Sequence, residues 1–121
     1  MVEFKISNPF LAGIDYAFQT KEKLYFVMKF FRGGELFQHL RKKKRFEERL
    51  VKFYAAQILL GLGHLHEKNI IYRDMKPENI LLDADGNICL IDFGMAKELK
   101  EMGTTKSIVG TPEYIAPEIL R

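Results

Sequence analysis

Two short stretches of this 121-residue chain hold residue types that together could handle a phosphate and a metal. Arg73-Asp74-Met75-Lys76-Pro77-Glu78-Asn79 sets an acid, a cation and an amide side by side, and Asp92-Phe93-Gly94 begins thirteen residues after Asn79. Mg²⁺ is a hard cation that takes oxygen ligands and keeps several waters. The Asn79 side-chain oxygen and the Asp92 carboxylate are ligands of that kind. Asp74 is then the carboxylate left to face a hydroxyl and to orient or accept its proton. Lys76 is a point charge suited to a transferring phosphoryl group. Gly94 frees the backbone to turn directly after the metal-facing acid. Singly, each has a plain structural reading: Asp74 a turn residue, Asn79 a local cap, Asp92 a strand-end acid, Lys76 a solvated cation. Their joint spacing argues for a site.

The elements that must position these residues are short. Ile14 to Phe18 and Leu24 to Phe31 are aromatic, β-rich runs around the polar stretch 19–23, which predicts two strands and a hairpin loop. Gly33-Gly34 breaks the second strand, and Glu35 to Lys43 reads as a short helix with Leu36, Phe37 and Leu40 at helical spacing. Glu48 to His66 is the strongest helix. Val51, Tyr54, Ile58, Leu62 and Leu65 mark a buried face that Leu50, Phe53 and Leu59 widen, and Asn69 is a left-handed stop. Three short strands follow, Ile70–Tyr72, Ile80–Leu82 and Ile88–Ile91, the last two joined by a turn at 83–87. The acid–cation–amide motif thus fills the gap after one strand, and Asp92 follows another. From Lys97 to Gly110 the sequence has the composition of a long loop.

Composition fits one globular domain: 47% hydrophobic, 29% charged, with 9 Gly and 4 Pro. Nineteen Lys and Arg against sixteen Asp and Glu leave a net charge of +3, which allows an anionic small ligand and calls for no nucleic-acid partner. A single cysteine, Cys89, excludes an internal disulfide and is read as core. No apolar run reaches the length of a membrane span. The expected location is the cytoplasm, with the nucleus as the alternative. The one charge run, Arg41-Lys42-Lys43-Lys44-Arg45, reads first as a solvated helix end, where cations suit the dipole, and second as a nuclear-localisation or phosphate patch. His64 and His66, two apart on a helix, make a poor metal pair, and His39 is expected at the surface.

With Ala116-Pro117-Glu118 closing the segment, the ordered set R-D-x-K-P-E-N, D-F-G and A-P-E resembles the eukaryotic protein kinases. Twelve matched positions at about one in twenty each put chance agreement near ~10⁻¹⁵. The resemblance implies an α+β, partial protein-kinase fold over 1–121. Residues 1–31 would supply the last strands of the N-lobe and the hinge, and 32–121 the first half of the helical C-lobe. It implies an ATP- and Mg²⁺-dependent transfer of the γ-phosphate to Ser or Thr of protein substrates. Asp74, Lys76, Asn79 and Thr111 would be the catalytic set, Asn79 and Asp92 the metal ligands.

Tyr72 before Arg73-Asp74 resembles the group that holds cyclic-nucleotide-dependent kinases, protein kinase B and protein kinase C. So do Asn8-Pro9-Phe10-Leu11, Gly33-Gly34-Glu35-Leu36-Phe37 and Gly110-Thr111-Pro112-Glu113-Tyr114. In that resemblance the Thr111 hydroxyl links Asp74 and Lys76, and Met95 goes with a preference for serine. Glu35 and Glu78 match positions that hold an arginine upstream of the phosphosite, a sound pairing of two carboxylates with a guanidinium. Met28 matches the gatekeeper, Lys29 and Phe31 the hinge positions that bond adenine, and Leu81 the pocket floor. Ile14, Tyr72 and Phe93 match a stacked spine. Ser107 matches an activation-loop phosphosite served by an upstream activating kinase, with Thr104 and Thr105 as neighbours. Arg73 and Lys97 would bind its phosphate.

Within these 121 residues there is no Gly-x-Gly-x-x-Gly loop and no counterpart of the strand Lys and its Glu partner. The chain is therefore expected to be a fragment that alone binds nucleotide weakly, turns over negligibly and tends to aggregate. The alternative is a catalytically inactive, kinase-like fragment acting as a protein-binding module.

Overall fold

A computed structural model of the chain describes residues 8–99 and 109–120. The first hairpin forms from two short runs rich in aromatic residues. β1 (Tyr16–Gln19) pairs antiparallel with β2 (Leu24–Val27), in register from Tyr16 opposite Val27 to Gln19 opposite Leu24. Thr20 closes the loop, with its N–H donating to the Lys23 carbonyl at 2.8 Å and its hydroxyl accepting from the Lys23 N–H at 3.1 Å. Phe18 and Tyr25 stack across the pair at 4.9 Å. The second strand stops at Val27, short of the expected Phe31, and Met28 to Phe31 run without regular structure toward the next sheet.

That sheet has the order β3-β5-β6, all antiparallel: β3 (Gly34–Glu35), β5 (Ile80–Leu82) and β6 (Ile88–Leu90). Gly33 leads into it so closely that a Cβ would lie 2.6 Å from the Leu82 Cβ, while its N–H donates to the Leu82 carbonyl at 2.9 Å. The 83–87 turn forms as its composition demands. Asp83 Oδ1 accepts from the N–H groups of Asp85 and Asn87, each at 2.9 Å, and Gly86 takes φ +83°. Leu11, unassigned in the sequence reading, bridges parallel to Leu90 along the free edge of β6.

Two helices pack beside the sheet. α1 (Leu36–Lys43) ends at Lys44, a lysine at φ +64° in the left-handed region. α2 (Glu48–Glu67) ends near Asn69, whose φ of +57° is the left-handed stop expected. The apolar core comprises Leu11, Leu36, Leu65, Tyr72, Ile80, Leu82, Ile88 and Leu90. α2 meets it along a narrower face than its sequence suggests. Gln57, Gly61 and Leu65 are buried and Tyr54, Ile58 and Leu62 half-buried, whereas Val51, Phe53 and Leu59 are exposed. Gly61 lets α2 approach, since a Cβ there would stand 3.3 Å from Leu11 and 3.4 Å from Leu90. The buried amide of Gln57 pins the helix to the sheet: Nε2 donates to Asn87 Oδ1 at 2.9 Å and Oε1 accepts from the Ile88 N–H at 2.8 Å.

β4 (Ile70–Ile71) pairs with β7 (Lys97–Glu98), a strand inside the stretch expected to be loop. Backbone pairing with Ile70 and Ile71 supplies the order that its polar composition does not signal. One histidine, His39, departs from the surface position expected of it. His39 is half-buried with Nε2 at 2.7 Å from the Gly33 carbonyl, and His64 is half-buried with its Nε2 enclosed. No helix among the described residues is long and apolar enough to cross a membrane.

Candidate active site

The motif residues sit where β4 leaves the core and where β5 and β6 run side by side. Tyr72 is buried at the end of β4, and its hydroxyl donates to the Ile91 carbonyl. Arg73 then takes φ +67°, a turn that L-residues avoid and that swings Asp74 inward. Asp74 is buried at 5% exposure, which alone would penalise its charge. Three donors answer that cost. Thr111 donates its hydroxyl proton to Oδ1 at 2.6 Å, Asn79 Nδ2 donates to Oδ2 at 2.9 Å, and the Lys76 ammonium stands 3.2 Å from Oδ2. Burial raises the carboxyl pKa, but the bonds from Thr111, Lys76 and Asn79, with the Lys76 charge, outweigh it. The group is held below its ordinary 3.8 and is ionised at neutral pH. Lys76 in turn donates to the Thr111 hydroxyl at 2.9 Å, so Thr111 stands between the acid and the cation.

Asn79 joins the two loops. Its amide nitrogen is committed to Asp74, to both the carboxylate and the main-chain carbonyl at 2.9 Å. Its own carbonyl accepts the Ile91 N–H at 3.0 Å. That leaves the side-chain oxygen as the atom it can offer a cation. Asp92, next to Ile91, sits at φ +61°, and its Oδ1 accepts the Gly94 N–H at 3.1 Å, leaving the other oxygen open. Asp74, Asn79 and Asp92 all bear on one phenol: the Tyr72 hydroxyl is pushed upward in pKa by burial, then by the charges of Asp92 and Asp74, against a hydrogen bond from Asn79. The side-chain oxygen of Asn79 and the open carboxylate oxygen of Asp92 fit Mg²⁺, which binds through one or two protein oxygens plus phosphate and water. Among the described residues no three His, Cys, Asp or Glu side chains gather into a cation cage.

The remaining predicted residues divide by location. Leu81 lies in β5 opposite both Glu35 and Cys89 in register, so Leu81 and Cys89 share the face turned away from Ile80 and Leu82. Burial drives the Cys89 pKa up to about 11, against the opposing pull of Lys29. Met28 and Lys29 are exposed and Phe31 half-buried, with the Lys29 ammonium 6.0 Å from the Phe31 ring. Glu35 is half-buried at the entry to α1, and the 77–79 turn that carries Glu78 packs on α1 and β3. Glu78 Oε2 is enclosed and accepts no hydrogen bond from any described residue.

Arg73 donates from Nε to the Met95 carbonyl at 2.6 Å, and Lys97 is exposed in β7. Tyr72 and Phe93 meet edge to face at 5.6 Å, and Ile14 is half-buried at the start of the hairpin. Ser107, Thr104 and Thr105 lie outside the described residues. Gln57 is a contributor that the sequence did not single out, whereas Leu11 and Gly110 entered only as members of the stretches 8–11 and 110–114, with no role attached. Gly110, at φ +127°, is so close to the Arg73 carbonyl that a Cβ would be 2.9 Å from it. Only the adjacency of Gly110 to Thr111 could have signalled it.

The chain belongs to the protein kinase domain family, whose sequence pattern matches residues 2–121. The strands and two main helices are those of part of such a domain, as the α+β expectation had it. "Protein kinase 2" of Dictyostelium discoideum is 56% identical over 115 residues, 95% of this chain and 24% of that protein. "Serine/threonine-protein kinase Sgk2" of Homo sapiens is 55% identical over 117 residues, 96% of this chain and 32% of its own. "Serine/threonine-protein kinase Sgk1" of Danio rerio is 55% identical over 116 residues, 95% and 27% respectively. The chain thus spans about a quarter to a third of the length of these relatives.

Proposed function

We propose that this chain forms the phosphoryl-transfer centre of a serine/threonine protein kinase that uses ATP and Mg²⁺. The observation that carries the reading is the buried, ionised Asp74, fixed by Thr111, Asn79 and Lys76 beside the oxygens of Asn79 and Asp92. A carboxylate so heavily stabilised is costly to bury without a use, and a binding module has no need of one.

Asp74 accepts the hydrogen of a substrate hydroxyl and aims its oxygen at the γ-phosphorus of ATP. The oxygen–phosphorus bond forms, the bond to ADP breaks, and the hydroxyl proton passes to Asp74. Lys76, within reach of Asp74, offsets the charge on the moving phosphoryl group. Asn79 and Asp92 are the residues that would hold Mg²⁺, which when bound neutralises phosphate charge. Met28, Lys29, Phe31 and Leu81 would contact the nucleotide base.

Glu78 and Glu35, two carboxylates on adjoining elements, support an arginine near the acceptor serine. Phosphorylation of Ser107 by an upstream kinase, with Arg73 and Lys97 as its cationic partners, would raise activity. We further propose that 1–31 act as N-lobe strands and hinge and 32–121 as C-lobe, in a protein of the cytoplasm or nucleus. The test is phosphate incorporation from ATP-Mg²⁺ into an Arg-containing serine peptide by the intact protein and by Asp74→Asn. Equal signals would remove catalysis from the account.

A further inference from the structure

The charge run at the end of α1 is used by nothing described so far. Between Arg41 and Lys52 there are seven cations and two carboxylates, a local charge of +5 in a chain whose total is +3; the rest is therefore net negative. All five residues from Arg41 to Arg45 are exposed, and no ion pair to a described residue engages any of them. Lys44 at φ +64° ends α1, so that these cations gather at the turn between α1 and α2. One of the two nearby acids is already matched, since Glu48 holds Lys52 at 2.7 Å. Beside the turn lies an open depression of about 950 Å³, lined by the cations Lys43, Arg45 and Arg49, by the carboxylates Glu47 and Glu48, and by the apolar Phe46, Leu50 and Phe53; the cations outnumber the acids, and Glu48 is the one already paired.

We propose that this basic turn docks an acidic stretch of the protein substrate, upstream of the arginine that Glu35 and Glu78 would hold. The inference rests on the kinase reading for its substrate and on the charge pattern for its surface. α1 starts directly after Glu35 and has eight residues, so its basic end lies about 12 Å along the helix from that glutamate. An extended peptide covers that distance in about four residues. Carboxylates placed four to seven residues upstream of the arginine therefore reach Lys42, Lys43 and Arg45. An apolar residue among them enters the depression, which a flat lipid surface or a run of nucleic-acid phosphates would leave unfilled.

The test uses the intact protein, a labelled serine–arginine peptide with four upstream Glu, the same peptide with Gln in their place, and the variant Lys42→Gln/Lys43→Gln/Arg45→Gln. By fluorescence anisotropy at low salt, the Glu peptide binds the wild type about tenfold more tightly, a modest gain per exposed charge pair summed over three. The advantage disappears in the variant and at high salt, while the Gln peptide binds both proteins alike. In turnover the same contrast falls on KM, with kcat unchanged. Equal binding of the two peptides by the wild type overturns the proposal, as does an advantage that survives in the variant. Equal peptide binding together with phosphatidylserine vesicles or duplex DNA that bind wild type and not the variant would overturn it in favour of those partners. If the Glu peptide keeps its advantage but neither peptide gains phosphate, the docking surface stands and the kinase reading falls.

Discussion

Replacing Thr111 by Val tests the site at its narrowest joint. Valine keeps the shape and removes the hydroxyl that donates to Asp74 Oδ1 at 2.6 Å and accepts from Lys76 at 2.9 Å. A hydrogen bond to a charged group contributes about 1.5–3 kcal/mol. Not all of that belongs to the transition state, because Asn79 and Lys76 still hold Oδ2. With each 1.36 kcal/mol equal to tenfold in rate, kcat of the intact protein should fall roughly 10- to 100-fold. KM for ATP should change little, since the hydrogen bonds of the Thr111 hydroxyl go to Asp74 and Lys76 and none, among the described residues, to the Met28–Phe31 connection. The Asp74 carboxyl should move upward in pKa, having lost the strongest of the bonds that depress it. Steady-state kinetics on a serine peptide across pH, with Thr111→Ser as the control that restores the hydroxyl, reads all three. Wild-type kcat in Thr111→Val would refute the linkage, and so would a serine variant as slow as the valine.

Other perturbations follow from the same geometry. Gly110→Ala forces a Cβ against the Arg73 carbonyl at a backbone angle that alanine avoids; activity should drop at least tenfold with a smaller loss in thermal midpoint, read by parallel kinetics and calorimetry. Gln57→Ala removes the partner of the buried Ile88 N–H and of the Asn87 side-chain oxygen and should cost about 2–3 kcal/mol in denaturant titrations. The Asp74 carboxyl is depressed in the folded state, so its ionisation stabilises fully above the ordinary value of 3.8, and that contribution is lost as pH falls through the folded value. Asp74→Asn should flatten this acid limb of the stability profile, followed by circular dichroism. Cys89, buried with its pKa raised from 9.0 to about 11, should react with a maleimide at neutral pH roughly 100-fold more slowly in the native than in the denatured protein, as peptide mapping would show.

The strands around the site were legible because each is a short apolar run opening on isoleucine and bounded by turn chemistry; Ile80–Leu82 and Ile88–Leu90 lie where that pattern puts them. α2 was legible in length and less so in orientation. Its apolar residues go nearly all the way round, so periodicity could not choose between the Gln57–Gly61–Leu65 line that packs and the Val51 and Leu59 positions that do not. β7 escaped notice because Lys97 and Glu98 owe their order to a partner strand, not to their own side chains. The residue types at the site announced acid, cation and metal ligand. The joining of Thr111 to Asp74, 37 positions earlier in the chain, is tertiary and entered through family resemblance alone. Left-handed backbone at Arg73 has no signature in its residue type, and at Asp92 only the general tolerance of aspartate for that region.

Asn79 spends its amide nitrogen on one loop and its main-chain carbonyl on the other. Neither loop can drift without dragging its neighbour, so the two should loosen as one unit, with the amides of Asp74 and Ile91 exchanging deuterium at a common rate. Substituting this single side chain would uncouple them, turning one cooperative opening into two.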